Sequence, residues 1–409
     1  HQLYSLSKSF TSTAVGFAVG EGLLNLDDRV VGFFPEKLPA APCANMLRMR
    51  VRDLLGMCTG HEVEPSLSGE DWVYNFLTSY VPLEPGSKFL YNTAATYMLS
   101  AILQRATGKR VSEYLAPRLF EPLGIENIWW ERCPKGIETG GFGLNVKTED
   151  IARFGQFLLN RGGWQGRQLI DPAWIDEATA WHIDNGPEGN PDWVQGYGYQ
   201  FWRCQPKGVY RGDGAFGQYC VVMPEQDAVL AIHSGADDMQ AILSAAWETL
   251  LPAMGEAPLS ADDTALAARL RQLTLPLPQE DGPDAQAQRR ARRAYRMAPN
   301  PLGITGIALQ EDCLRLTWPD GEQTLAVGRG AWLDTKLAQS AQEHLRAVGD
   351  VSCAGAWQGD AFRLTIAHNR TPFIDAIALR YGPDCLQVSI RRNVSMGRSA
   401  WELMGVPRE

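Results

Sequence analysis

The chain has 409 residues, of which 45% are hydrophobic and 21% are charged, and its formal net charge is −9. This composition is that of a folded globular protein rather than a disordered one, and the length allows two domains. The acidic balance disfavours non-specific binding to nucleic acid, and no apolar run reaches the ~18 residues of a membrane span.

Residues 1–255 alternate helical segments with short strands. The stretch from Ser5 to Glu21 predicts an amphipathic helix, and residues 93–107 predict a long helix that Gly108 ends. Further helices are predicted over 51–57, 148–159, 171–181 and 239–251, and antiparallel strands over 197–202, 216–223 and 228–233. We therefore treat residues 1–255 as one domain.

The pattern changes after residue 255. Residues 256–300 contain Pro276, Pro278 and a polar run, which predict a linker with helical segments. An arginine-rich run over 289–296 is more typical of a solvated helix face than of a polyanion site. Residues 301–409 show short alternating strands, including 313–318, 362–366, 374–381 and 386–390, which predict a C-terminal antiparallel β domain, either a barrel or a sandwich.

The first chemical motif is Ser5-Leu6-Ser7-Lys8, at the head of the first helix. Residues three apart lie on one face of a helix, so the Ser5 hydroxyl and the Lys8 amine become neighbours. A helix N-terminus carries partial positive charge and free N–H groups, which favour a developing oxyanion. A weak nucleophile beside a proton acceptor is what acyl transfer requires.

Three later segments bear on the same chemistry. Tyr91 and Thr93 stand at a loop-to-helix junction, where a tyrosine can point into a cleft and a nearby ammonium would stabilise its phenolate. The glycine-rich run over 210–219 precedes a strand and lets a substrate or another backbone approach closely. His233, with Ser234 and Gly235, ends the following strand. It is the second choice, after the glycine-rich run, for the segment that completes this site.

In this order the segments resemble the penicillin-recognising serine hydrolases, and specifically the class C β-lactamase-related branch. Ser5 and Lys8 match S-x-x-K, residues 91–93 stand at Y-x-N, and residues 211–214 stand at the third motif, K-T-G or H-x-G. The resemblance covers most of residues 1–255. It implies an α+β, β-lactamase/transpeptidase-like catalytic domain, with an antiparallel sheet flanked by helices and the site between that sheet and an all-helical subdomain.

The resemblance also implies roles for individual residues. Ser5 is the acylated nucleophile, and Lys8 and Tyr91 share its proton, with the choice of base left open. Tyr91 then helps to activate water for deacylation. The N–H of Ser5 and one from the glycine-rich edge hold the oxyanion. The oxyanion and substrate-binding residues are Gly212, Asp213, Gly214, Ala215 and Thr93. We expect neither a metal nor another cofactor.

Two departures from the family pattern bear on the substrate. The third-motif lysine is absent, and Arg211 replaces its charge only if the side chain points into the cleft. Thr93 stands where the family has an asparagine that contacts an acyl-amide side chain, and a hydroxyl cannot reproduce an amide's geometry. Both favour an ester, amide or D-amino-acid-type substrate, small or a short peptide, over efficient β-lactam hydrolysis.

Other readings stay open. The enzyme could be a true class C-type β-lactamase or a penicillin-binding carboxypeptidase, or the fold could carry a catalytically inactive binding protein. Metal-dependent hydrolysis is disfavoured because His61-Glu62-Val63-Glu64 lacks the H-E-x-x-H spacing. The aromatic segment over 193–202 either walls the pocket, favouring apolar acyl groups, or is a packed strand.

The location of the protein and its oligomeric state are left open. The eight cysteines are scattered without a C-x-x-C pair, which indicates free thiols and favours a reducing, cytoplasmic compartment. Family members carry a helix and strands before S-x-x-K, and only four residues precede Ser5 here. We therefore expect an N-terminal segment to be missing from the sequence, which keeps a periplasmic location possible.

Overall fold

The computed structural model describes residues 1–255, 264–345 and 348–408, which form two compact units. The first unit comprises His1–Ser234 and Asp238–Gly255, and the second comprises Gly235–Asp237 and the described residues from Thr264 onward. None of the helices in these ranges combines the length and apolar character needed to span a membrane.

The first unit is mainly helical, with short strands. Its helices are α1 (Ser7–Gly20), α2 (Ala44–Arg48), α3 (Val51–Leu55), α4 (Trp72–Thr78), α5 (Thr93–Thr107), α6 (Val111–Leu115), α7 (Glu121–Leu123), α8 (Thr148–Leu159), α9 (Pro172–Thr179) and α10 (Met239–Ala245). Its strands are β1 (Trp129–Trp130), β2 (Leu144–Asn145), β3 (Gly163–Trp164), β4 (Arg167–Gln168), β5 (Trp202–Arg203), β6 (Tyr210–Gly214), β7 (Gln218–Met223) and β8 (Ala228–Ile232). A 3₁₀ turn over Tyr4–Leu6 leads into α1.

Helix α1 is enclosed by the core of the first unit. The chain is buried from Ser7 to Ala18, so the amphipathic helix predicted from the sequence is wrong in this respect. The helix tolerates burial because its hydroxyls reach backbone carbonyls: Ser9 Oγ donates to Gln200 O at 2.9 Å and Thr11 Oγ1 to Gly140 O at 2.9 Å. These bonds hold the start of the helix, and with it the Ser5 segment, against several parts of the chain.

The predicted helix over 93–107 is confirmed as α5. Asn92 caps it, since its Oδ1 accepts a hydrogen bond from Ala95 N at 3.1 Å. Gly108 ends it in the left-handed conformation, with φ of 71°. Because Tyr91 lies one residue before the cap, the cap sets where the loop turns into the helix.

Strands β5 to β8 form an antiparallel sheet in that order. The strands predicted over 216–223 and 228–233 are confirmed with slightly shorter bounds. The strand predicted over 197–202 is wrong except at its end, because Gln200 has φ of 69° and Gly198 N donates to Phe201 O at 2.8 Å, closing a turn. Only Trp202–Arg203 of this region pairs with β6.

The second unit is a ten-stranded antiparallel sheet that is nearly closed into a barrel. Its strands are β9 (Ala294–Met297), β10 (Gly306–Gln310), β11 (Cys313–Trp318), β12 (Gly321–Ala326), β13 (Leu333–Thr335), β14 (Val351–Gln358), β15 (Ala361–His368), β16 (Ile374–Tyr381), β17 (Leu386–Arg392) and β18 (Ala400–Pro407), in the order β12-β11-β10-β9-β18-β17-β16-β15-β14-β13. Helices α11 (Thr264–Arg271), α12 (Ala285–Ala291) and α13 (Gln339–Leu345) accompany it.

Strand β9 and helix α12 lie in the segment that the sequence indicates as a linker. Tyr295 and Met297 are buried and Arg296 is exposed, which is the alternation of a half-buried strand. The neighbouring arginines hide this short pattern in the sequence. The strands predicted over 313–318, 362–366, 374–381 and 386–390 are all present in the sheet.

Candidate active site

Ser5 lies in the 3₁₀ turn just before α1. The preceding residue, Tyr4, is in the left-handed region with φ of 49°, which is strained for a residue with a Cβ. Ser7 Oγ donates to Tyr4 O at 2.7 Å, and the Tyr4 ring meets Phe216 edge-on, with centroids 5.4 Å apart. These contacts hold the sharp turn that carries Ser5.

Lys8 reaches back to Ser5 as the i, i+3 spacing predicts. Its Nζ donates to Ser5 Oγ at 3.0 Å and to Gly141 O at 2.8 Å, and lies 3.5 Å from Thr93 Oγ1. Burial lowers the pKa of Lys8 to about 7, although the carboxylates of Glu64 and Asp213 raise it in part. Near neutral pH a substantial fraction of this amine is therefore unprotonated and able to accept a proton.

Tyr91 completes the group around the nucleophile. Its hydroxyl is hydrogen-bonded to Ser5, and the Lys8 ammonium lies 4.9 Å from its ring centroid. Burial, followed by the nearby Asp213 charge, raises the pKa of Tyr91 well above its usual value, and the Ser5 hydrogen bond opposes this only in part. The expected phenolate is thus disfavoured, and Tyr91 stands beside Ser5 as a neutral phenol.

The loop that presents Tyr91 and Thr93 is fixed by a buried polar chain. Asn92 Nδ2 donates to Thr59 Oγ1 at 3.3 Å, Thr59 Oγ1 lies 2.8 Å from His61 Nδ1, and His61 Nε2 lies 2.7 Å from Ser79 Oγ. Burial lowers the pKa of His61 to about 4, so the ring is neutral. His61 therefore supports the loop, which accounts for its burial without a metal-binding role.

Strand β6 brings Gly212 and Gly214 against the Ser5 segment. A Cβ on Gly212 would lie 2.4 Å from Leu6 Cδ1 and 2.5 Å from Ser9 Oγ, and one on Gly214 would lie 2.0 Å from Leu3 O. Glycine is therefore needed at both positions for the strand to approach this closely. Ala215 follows as a half-buried residue whose carbonyl accepts from Gln218 Nε2 at 3.0 Å.

Arg211 does not offer a free charge to a ligand. The side chain is fully buried, its Nε and Nη2 lie 3.0 and 2.9 Å from Asp213 Oδ2, and its Nη1 donates to Asp192 O at 2.8 Å. Its guanidinium lies 4.4 Å from the Trp193 ring centroid. The Asp213 carboxylate, paired with this guanidinium, is an acceptor and offers no side-chain donor to an oxyanion.

The aromatic segment over 193–202 contacts Tyr91 through Tyr197 and Trp202. The Trp202 ring stacks on Tyr91, with centroids 5.3 Å apart, and Tyr197 meets Tyr91 edge-on at 6.3 Å. Both residues are buried. Tyr197 and Trp202 therefore pack against Tyr91 from inside the unit, and they belong to its hydrophobic core.

His233 contacts Thr148 and His1, which are not among the residues around Ser5. Its Nδ1 lies 2.9 Å from Thr148 Oγ1, and its ring centroid is 4.3 Å from that of His1. Burial lowers the pKa of His233 to about 4. None of its contacts among the described residues is with Ser5, Lys8 or Tyr91.

Two groups near the site were given no role in it by the sequence analysis. The Gly141 carbonyl holds Lys8 Nζ, and the only signal for it is the glycine-rich run over 139–143. Glu64 Oε1 accepts from Thr93 N at 2.6 Å and from Ala94 N at 3.3 Å. No local pattern marks Glu64, because its partners are about thirty residues away along the chain.

Comparison with known proteins identifies the family. The Beta-lactamase family model matches residues 1–251. The chain belongs to the Beta-lactamase family. Its first unit accordingly has the β-lactamase/transpeptidase-like fold, as the resemblance of the motifs implied.

The relatives of this Beta-lactamase family member are hydrolases. The 6-aminohexanoate-dimer hydrolase of Paenarthrobacter ureafaciens is 26% identical, over 56% of the chain and 64% of that protein, so the chain spans less than two thirds of its length. A beta-lactamase of Escherichia coli (strain K12) is 19% identical, over 61% of the chain and 79% of that protein. A structure from Bacillus anthracis assigned to a 6-aminohexanoate-dimer hydrolase matches with a TM-score of 0.51 and 22% identity, over 67% of the chain and 74% of that protein, which shows the fold alone.

Proposed function

We propose that this protein is a serine hydrolase that acts through an acyl-enzyme on Ser5. The observation that carries the proposal is the 3.0 Å contact between Lys8 Nζ and Ser5 Oγ, made by an amine whose pKa is about 7. A hydroxyl next to a partly neutral amine is activated for attack on a carbonyl. The Beta-lactamase family assignment and the hydrolase relatives support the same reaction class.

In the proposed acylation, Ser5 Oγ attacks the scissile carbonyl carbon and the neutral Lys8 amine takes the hydroxyl proton. Tyr91, as a neutral phenol, donates to the reacting oxygens and passes its proton to the leaving group, while the Lys8 ammonium returns to Tyr91 the proton that it took from Ser5. Both groups are then neutral again. The backbone N–H of Ser5 and one from the β6 edge, at Ala215 or the residues before it, stabilise the oxyanion. Water then hydrolyses the acyl-enzyme with Lys8 and Tyr91 again moving the proton.

The substrate that we propose is an ester, an amide or a D-amino-acid-type compound. Arg211 is paired with Asp213 inside the unit, so it does not replace the cation that the third motif usually supplies to anionic substrates. This supports the expectation that β-lactams are poor substrates. The relative named 6-aminohexanoate-dimer hydrolase is consistent with a substrate of the amide type.

The test is covalent labelling of the nucleophile. Purified protein is treated with a fluorophosphonate, and intact-mass spectrometry with peptide mapping locates the adduct. We expect one adduct, on Ser5, and none in Ser5→Ala, whose circular dichroism should be unchanged. A folded wild-type protein that takes up no probe would contradict the proposal and favour an inactive binding protein.

A substrate panel separates the hydrolase classes. We expect hydrolysis of short p-nitrophenyl esters, with nitrocefin turned over much more slowly. Rapid nitrocefin hydrolysis without esterase activity would instead identify a β-lactamase, and would mean that the missing third-motif lysine carries less weight than proposed.

A further inference from the structure

Glu64 ends the His61-Glu62-Val63-Glu64 segment, and it faces the candidate active site. His61 points into the buried polar chain, whereas Glu64 is exposed and its Oε1 accepts from Thr93 N at 2.6 Å. Thr93 Oγ1 in turn lies 3.5 Å from Lys8 Nζ, which contacts Ser5. Thr93 therefore lies between the exposed carboxylate of Glu64 and the Lys8 amine that contacts Ser5.

The Glu64 charge has no partner of opposite sign within the described ranges, since it forms no ion pair there. Lys8 is engaged with oxygens of Ser5 and Gly141, and Arg211 is paired with Asp213. Burial is the main influence on the pKa of Lys8 and lowers it, and the Glu64 charge acts on the amine through space in the opposite direction. Its second oxygen, Oε2, has no hydrogen-bond donor in the described part of the chain and is available to a ligand.

A capping role explains only part of this arrangement. The N-cap of α5 is already supplied by Asn92, whose Oδ1 bonds to Ala95 N. Glu64 adds bonds to two further N–H groups, and its negative charge is favourable at a helix N-terminus, but both bonds are made by the single oxygen Oε1. The second carboxylate oxygen, Oε2, takes no part in these bonds, so capping leaves it unexplained.

We propose that Glu64 is a specificity-determining residue that receives a protonated amine of the substrate. The substrate class is then an ester or amide that carries a free ammonium group within a few bonds of the scissile carbonyl, such as an aminoacyl derivative. The ammonium donates to Glu64 Oε2 while the carbonyl lies at Ser5. The inference rests on the proposed function and adds the charge of the substrate to it.

The test uses matched substrates that differ only in the amine. The kcat/KM is measured for p-nitrobenzyl alanine esters of both configurations, for their N-acetyl forms and for p-nitrobenzyl propionate. We expect the wild-type protein to prefer a free-amine ester by about tenfold or more, since hydrogen bonds between ionised groups are the stronger class. Glu64→Gln should lose that preference mainly through a higher KM for the free-amine esters, so that charged and neutral esters become nearly equal substrates.

Glu62→Gln is the matched control, because Glu62 is exposed on the same segment and its side chain forms no hydrogen bond with a residue in the described part of the chain. It should keep the preference. Equal losses on charged and neutral esters in Glu64→Gln, with a lowered melting temperature, would show a capping role only and overturn the proposal.

A second measurement needs no variant. The preference of the wild-type protein for the free amine should fall as salt is raised from about 0.05 to 0.5 M, because exposed charges are screened over a shorter Debye length. A wild-type enzyme that labels on Ser5 but hydrolyses charged and neutral esters equally would overturn the inference and leave the serine hydrolase intact. Absence of any Ser5 adduct would instead overturn the proposed function itself.

Discussion

Lys8 is 2% exposed, yet its Nζ is surrounded by oxygen acceptors from three parts of the chain. Burial alone favours the neutral amine, while the Glu64 and Asp213 carboxylates favour the charged one, and the balance sets the pKa of Lys8 at about 7. A base whose pKa lies near the working pH is both available and strong enough to take a proton. Burial, followed by the Asp213 charge, raises the pKa of Tyr91, so burial favours the neutral form of both groups: Lys8 as a proton acceptor and Tyr91 as a donor.

The pH dependence of activity should follow the Lys8 amine. Because its pKa is lowered to about 7, the neutral form is scarce below that pH and predominant above it. For an uncharged ester we expect kcat/KM to rise about tenfold per unit below about pH 6 and to level off above about pH 8. Initial rates of nitrophenol release between about pH 5 and pH 9 measure this profile.

The matched variant is Lys8→Arg, which stays charged over this range and should lose about a hundredfold or more in kcat/KM. A flat wild-type profile would contradict the assignment of Lys8 as the base and leave Tyr91 as the alternative.

At the scale of single elements, the site is formed where the start of α1 packs against strand β6. The two approach so closely that Gly212 and Gly214 have no room for a side chain. Strand β6 is fixed within the sheet by its pairing with β7, for example between Gly212 and Cys220. It therefore cannot retreat without breaking the ladder, and any added bulk must displace the Ser5 segment instead.

Gly212→Ala should therefore impair both stability and activity. Its Cβ would lie within 2.5 Å of Leu6 and Ser9 atoms, and overpacking of this kind costs about 1–3 kcal/mol. We expect a lower melting temperature and a loss of kcat/KM of about a hundredfold, because displacing a nucleophile by about 1 Å has an effect of that size. Thermal unfolding and ester hydrolysis measure the two effects.

Gly32→Ala is the control for this substitution, since a Cβ at Gly32 meets no atom within 4 Å. His233→Ala should also keep most of the activity, because His233 contacts Thr148 and His1 rather than the site. If Gly212→Ala were harmless and His233→Ala inactive, the third motif would have to be moved to His233.

At the scale of the whole molecule, each unit has its own hydrophobic core, one around α1 and α5 and one inside the nearly closed barrel. The eight cysteines are spread over both units without a disulfide, five of them buried and three half-buried. Burial raises the pKa of Cys58 and of Cys353 to about 12, which keeps these thiols protonated and unreactive. Packing therefore supplies the stability in both units that small secreted domains draw from disulfides.

Thiol labelling tests this description of both cores. With a disulfide reagent such as DTNB at pH 8, no more than the three half-buried cysteines, Cys43, Cys313 and Cys385, should react quickly in the native protein. All eight should react after unfolding in guanidinium chloride without reductant. Rapid native reaction of more than three thiols, or fewer than eight after unfolding, would contradict the packing or the absence of disulfides.

Local patterns were enough to predict the parts of this protein whose contacts are close in sequence. The pairing of Ser5 with Lys8 follows from a three-residue spacing, and the bounds of α5 follow from a cap and a terminal glycine. The strands of the second unit follow from alternation along each segment, although the arginine run concealed β9. The family could be predicted because its motifs are short and ordered along the chain.

Only the tertiary structure decided which groups surround those motifs. Gly141, which holds Lys8, is 133 residues away from it in sequence, and Glu64 meets the start of α5 across 29 residues. The enclosure of α1 and the pairing of Arg211 with Asp213 likewise depend on what packs against them. A hydrogen-bond partner or a desolvated charge is defined by neighbours in space, and a single sequence carries no local record of those neighbours.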